Sequence, residues 1–286
     1  MKLYIFGNGF DVAHGLKTSY TNFKEFVENE DEYIYGILNE AEIKYNLNKS
    51  IDQQESVEWN RFEENLKFIN YNSQLNELSF RNKNKEEVKE NMYILKSNID
   101  SIGTRINNLF QNWINNLKIE VTRYNEDLLK EKNAYFLNFN YTQTLEEVYN
   151  LKEVNHIHIS NNSGNNKYIF GHKEEKKNET DRRFVSPLKL YDETKIFIKP
   201  VYDLIKLGRI EEYKNITKIY FWGFSLSEVD MPYIKKILIE NKTTIQSIYL
   251  CKYQYDKKDD YENYNNFLKS NGIAKEIECF DDSIKV

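Results

Sequence analysis

Residues 3–6, Leu3-Tyr4-Ile5-Phe6, form a short unbroken apolar run, and such a run predicts a buried strand. The spacing then changes for more than a hundred residues. Phe23, Phe26 and Val27 lead into Ile34, Ile37, Leu38 and Ala41, and Trp59, Phe62, Leu66 and Ile69 repeat the helical interval. Leu95, Ile99, Ile102, Ile106, Leu109 and Trp113 sustain a near-heptad stripe. These patterns predict amphipathic helices whose apolar stripes are core. The polar stretch from Tyr71 to Glu87 predicts a loop or a broken helix. From Ala134 the period shortens again. Strands are predicted at 134–139, 154–159, 168–170, 217–222, 245–250 and 276–280, with helices at 143–150, 229–240 and 258–270. Strands separated by helices imply an α/β fold with a mainly parallel sheet that the first strand joins. The expectation is one α/β domain over 1–286, with residues 20–130 as an inserted helical layer.

Composition narrows the function classes. The chain has 286 residues with 40 Lys+Arg against 45 Asp+Glu. This near balance argues against a nucleic-acid coat or an anionic-membrane surface. The two cysteines, Cys251 and Cys279, sit in apolar runs and are expected as core thiols. No metal is expected, because Cys is sparse and His156-x-His158 stands alone. Gly7, Asn8 and Asp11 interrupt any signal-type apolar segment, and no run approaches the ~20 residues needed to span a bilayer. A cytoplasmic protein is expected.

Candidate chemistry gathers where strands end, the place where open α/β sheets bind ligands. Gly7-Asn8-Gly9-Phe10-Asp11 follows the first strand, Asn140 follows "AYFLNF", His156-x-His158 lies in "VNHIHIS", and "FWGFSLSEVD" covers 221–230. Gly171 and His172 in "YIFGHK" form a weaker fifth group. A Gly-x-Gly turn between strand and helix lets backbone approach a phosphate; it serves a ligand-free turn equally well. The dinucleotide fingerprint is incomplete, because Val12 occupies the third glycine position and a long helical region follows. Bland alternatives exist for each group: Asn140, Thr142 or Thr144-x-x-Glu147 as helix caps, Ser225-x-x-Glu228 as a capping box, Asp11 as a cap, and one histidine as a satisfied core residue. Strand alternation puts His156 and His158 on one face. In "WNRFEENL", Glu63 is either an exposed acid beside a core tryptophan or a lid residue reaching over the site.

These blocks carry a resemblance. "GNGFDVAHGLKTSYTNF", "WNRFEENL", "FNYTQTLEEVY", "HIHI", "IFGH" and "GFSLSEVDMPYI", in that order, are similar to the AbiH family of bacterial phage abortive-infection proteins. More remotely they resemble sirtuin-like NAD-binding domains. The resemblance implies a Rossmann-like, mainly parallel sheet of sirtuin type with a large helical insertion after the first strand. It places the catalytic pair on Asn140 and His158. It places cofactor-binding groups on Gly7, Asn8, Gly9, Phe10, Asp11, His14, Gly223, Ser225 and Asp230. Asn8 stands where that pattern has alanine, Asp11 where it has serine, Thr142 where it has the nicotinamide-holding aspartate, and Ile159 where it has glycine.

The implied function is an anti-phage protein that binds NAD(P) or a related nucleotide and hydrolyses the nicotinamide–ribose bond. No cofactor would be tightly bound, since NAD(P) is then the substrate. His158 would act as general base and Asn140 would position the attacking water. The alternative is a catalytically inactive nucleotide-binding sensor or interaction protein in phage defence. Partners expected are a nucleotide and a phage-derived trigger, with neither membrane nor nucleic acid, and with a homo-oligomer left open.

Overall fold

The computed structural model describes residues 1–48, 58–71, 83–131, 133–162, 165–172, 197, 199, 201–205, 210 and 212–285. The chain divides into two compact units. The first comprises Met1–Ser19, Asn116–Ile169 and Pro200–Val286; the second comprises Tyr20–Asn115 and Phe170–Lys199.

The first unit is built on a six-stranded sheet whose strands are β1 (Lys2–Phe6), β2 (Ala134–Asn138), β3 (Val154–His156), β6 (Lys218–Trp222), β7 (Ser247–Cys251) and β8 (Ile277–Phe280). Their spatial order is β3-β2-β1-β6-β7-β8, and every neighbouring pair is parallel. This is the doubly wound, Rossmann-like order, with the direction of winding reversing between β1 and β6. A large helical insertion follows the first strand, as the apolar spacing predicts. The strands are near-continuous apolar runs because both sheet faces carry core. Leu3, Ile5, Leu137, Ile219 and Phe221 pack with Ile234, Ile237 and Leu268 on one face. These last come from α8 (Met231–Glu240) and α9 (Lys258–Ser270). Phe6 and Phe136 pack with Phe10, Leu128 and Leu145 on the other face. Those belong to α1 (Asn8–Ala13), α6 (Glu126–Lys130) and α7 (Thr144–Tyr149).

Three expectations change. The strand expected at 168–170 is not there: only Tyr168 is in a strand, as the last residue of β5 (Asn165–Tyr168), which pairs antiparallel with β4 (Ile159–Asn162) in a hairpin. The predicted 154–159 strand stops at His156. Of the two cysteines only Cys251 is a core thiol, with burial pushing it up to about 12; Cys279 is exposed on β8.

The second unit contains α2 (Tyr20–Glu30), α3 (Glu32–Asn48), α4 (Glu58–Asn65) and α5 (Lys85–Asn116). Phe23, Phe62, Phe110, Trp113 and Phe170 form its aromatic core, with ring centroids 4.6–5.8 Å apart. The stripe from Leu95 to Trp113 is buried, as its period predicts. Helix α5 begins at Lys85, inside the stretch for which a loop or a broken helix is expected. A capping box starts it: Asn84 Oδ1 accepts from the N–H groups of Glu86 and Glu87, while Glu87 Oε2 accepts from Asn84 N–H at 2.9 Å. Most of that loop, 72–82, lies outside the described residues.

Candidate functional site

The first strand and the sixth end side by side, and their two turns touch backbone to backbone. Gly7 N–H donates to Trp222 O, and Gly9 N–H to Gly223 O, each at 3.0 Å; Phe10 N–H returns to Gly7 O at 2.9 Å. A Cβ on Gly7 would stand 2.5 Å from Phe224 Cα, and one on Gly9 2.7 Å from Gly223 Cα. Gly223 itself has φ +61°. The glycine-rich turn after β1 is therefore a close-packing device, and three of its N–H groups serve the protein. Asn8 is half-buried at the start of α1. Phe10 packs against Phe6 and Trp222 at 4.7 and 5.0 Å. Residues 223–224 are clamped from the other side by groups that no local motif signals. Gln254 Oε1 accepts from Gly223 N–H, while Gln254 Nε2 and Tyr264 O–H both donate to Phe224 O. Ser225 is half-buried, and its carbonyl accepts from Ser227 N–H.

His14 is buried with both ring nitrogens engaged. Nδ1 lies 2.7 Å from Phe10 O and Nε2 lies 2.6 Å from Tyr149 Oη. The carbonyl accepts only, so Nδ1 carries the hydrogen and Nε2 accepts from the phenol. Burial pushes the imidazole below its ordinary pKa and keeps it neutral.

Asp11 lies under the turn, fully buried, and receives the hydroxyls of Thr142 at 2.6 Å and Thr144 at 2.8 Å. Desolvation pushes its carboxyl up to about 6 although both hydroxyls oppose the rise. Thr142 and Thr144 thus hold a carboxylate rather than cap α7, whose N-cap Gln143 makes no side-chain cap bond.

His156 and His158 do not share a face. His156 Nε2 lies 2.6 Å from Glu146 Oε1 of α7, whereas His158 Nε2 lies 3.1 Å from Asp230 Oδ1, just before α8. Strand alternation ends with β3 at His156, and the chain bends at 157–158. His158 is buried, with its ring between Phe139 at 5.5 Å and Tyr141 at 5.3 Å. Its Nδ1 has no hydrogen-bond partner among the described residues. Asn140, between those two aromatic residues, is also buried; its N–H donates to Asn138 Oδ1, and its side-chain Nδ2 has no partner among the described residues. Two polar groups are thus buried and unsatisfied in one region, at a cost of about 1–3 kcal/mol each.

Glu63 is not an exposed acid. Within the second unit it is buried and holds Lys199 Nζ at 2.8 Å, with Lys199 itself fully buried. The partner lies 136 residues away and has no motif of its own. His172 is buried in the same unit, donating its N–H to Phe197 O. A cavity of about 490 Å³ opens elsewhere in the first unit, lined by Lys2, Tyr4, Glu131, Tyr220 and Tyr249 among others. None of the candidate site residues lines it. Among the described residues no cluster of His, Cys, Asp and Glu could hold a metal ion, and no helix is long and apolar enough to cross a membrane.

A parallel sheet in this order, with His, Asn and Asp gathered at its carboxyl edge, defines a Rossmann-type α/β protein whose polar site lies at the strand ends. The family described as Bacteriophage abortive infection AbiH matches residues 3–253, and the chain belongs to it. That membership assigns the protein a role in abortive infection against bacteriophage. No curated protein and no solved structure matches the chain.

Proposed function

We propose that this AbiH protein binds NAD(P) or a related nucleotide at the carboxyl edge of the sheet and hydrolyses its nicotinamide–ribose bond. The observation that carries the reading is the pair of unpartnered buried groups, His158 Nδ1 and Asn140 Nδ2. Cleavage of an N-glycosidic bond passes through an oxocarbenium-like state and needs an oriented water and a base. A neutral imidazole accepts the proton, and an amide orients water without ionising. The remote likeness to sirtuin-like domains gives Asn140 and His158 the same roles. Asp11 and Thr142 depart from that pattern in opposite senses, and they are hydrogen-bonded to each other.

A second reading, a nucleotide-binding sensor without turnover, is favoured by Asp11 and Thr142, which stand buried where the sirtuin-like pattern has serine and the nicotinamide-holding aspartate. Incubation of the purified protein with NAD, with and without infected-cell extract, followed by chromatography for nicotinamide, separates the two. The hydrolase releases nicotinamide, and Asn140→Ala and His158→Ala each lower the rate by about a hundredfold or more while the fold survives. Wild-type protein that binds NAD and releases nothing under either condition decides for the sensor.

A further inference from the structure

Asp230 stands immediately before α8, where an aspartate ordinarily accepts N–H groups of the first helical turn. Its carboxylate makes no such bond, and Pro232 removes one of the donors. The backbone is held instead by Ser227, whose Oγ and O accept from Asp230 N–H at 3.0 and 3.1 Å. That anchor aims the side chain at His158: Oδ1 lies 3.1 Å from Nε2, and the two side chains are 10% and 4% exposed. The helix-cap explanation for an acid here therefore fails, and the histidine takes its place.

We propose that Asp230 is the positioning residue of His158, rather than a cofactor-binding group, and that Nδ1 is the imidazole atom that accepts the proton. The inference rests on the hydrolase reading for its catalytic meaning, but its structural content stands apart. A carboxylate accepts and does not donate, so Nε2 carries the ring hydrogen and the lone pair of the neutral ring is on Nδ1. Nδ1 is the buried atom without a partner. Phe139 meets the ring edge-to-face at 84° and Tyr141 lies at 32° to it, so the plane of the imidazole is set as well as its tautomer. A carboxylate behind an imidazole, with the other nitrogen facing the reaction, is the arrangement by which an acid orients a base without itself being protonated.

The test is the tautomer of His158, read by long-range ¹H–¹⁵N correlation on the ¹⁵N-histidine protein. The chain has four histidines, and His158→Gln identifies which signals belong to this one. Wild type is expected in the Nε2–H form, opposite to the Nδ1–H form that His14 must adopt. Asp230→Asn offers an amide N–H to Nε2, so part or all of the population moves to Nδ1–H, and Asp230→Glu restores the wild-type form. With turnover present, Asp230→Asn lowers kcat by about a hundredfold or more and leaves KM within about threefold. A wild-type ring in the Nδ1–H form, or a tautomer indifferent to Asp230→Asn, overturns the inference. Wild type in the Nε2–H form that releases no nicotinamide defeats the hydrolase reading alone and supports the positioning role.

Discussion

Replacing Gly223 by alanine drives a methyl group into backbone on its far side. At φ +61° an L-residue other than glycine costs roughly 1–2 kcal/mol. The new Cβ would stand 2.3 Å from Phe10 N, 2.4 Å from Gly9 C and 2.5 Å from Gly9 Cα, against the ~3.5–4 Å of ordinary contact. All three are backbone atoms, so no rotamer change relieves the overlap. Moving the turns apart costs about 1–3 kcal/mol as overpacking, and the Gly9 N–H to Gly223 O bond is lost for about 1 kcal/mol more. The total is roughly 3–6 kcal/mol, or a fall in Tm of roughly 5–10 °C for a protein of this size. Gly36 is the matched control. It lies inside α3 with nothing within 4 Å of its would-be Cβ, so alanine there gains roughly 0.5–1 kcal/mol of helix stability. Scanning calorimetry on both variants should show changes of opposite sign. A Gly223→Ala protein melting within about 2 °C of wild type would refute the backbone-contact account of the turn.

Asp11 makes stability depend on pH. Its folded pKa, about 6, lies above the ordinary 3.8, so the native state holds the proton more tightly and stability falls as pH rises between these values, by about 3 kcal/mol. Asp11→Asn is therefore expected to be more stable than wild type at pH 7.5 and to lose that advantage below about pH 4. Urea titrations giving a difference independent of pH would remove burial as the cause. In the second unit, Glu63→Gln or Lys199→Met alone breaks a buried ion pair and costs about 3–5 kcal/mol. The double variant should recover at least half of the summed loss, and simple additivity in the cycle would show that the pair is not coupled.

Where the α/β strands lie could be read from the sequence because the signal is local. Most of the parallel strands are apolar runs a few residues long that stop at polar residues or a glycine, and the helices between them carry a 3.6-residue period. The start of α5 was equally local but harder to read: the reciprocal bonds of Asn84 and Glu87 lie where the few apolar residues of the stretch, Leu75, Leu78 and Phe80, have all gone by and polar residues alone mark the turn. The gathering of polar groups at strand ends was legible for the same reason as the strands themselves. Their pairing was not.

Local sequence determined which residues could be chemical; contacts across the chain decided what each one does. Asp11 finds Thr142 and Thr144 more than 130 positions away, His158 finds Asp230 72 away, and Glu63 finds Lys199 136 away. Alternation predicted one face for His156 and His158, yet it holds only while a strand lasts, and β3 ends between them. Gly7 and Gly9 needed no ligand to explain them once β6 was seen to end against them, since a Cβ at either position would run into the backbone of 223–224. Apolar periodicity records which way a side chain faces in its own element, so it yields strands, helices and core. The partner it meets depends on sheet order and on where each element stops, and only the folded chain sets those.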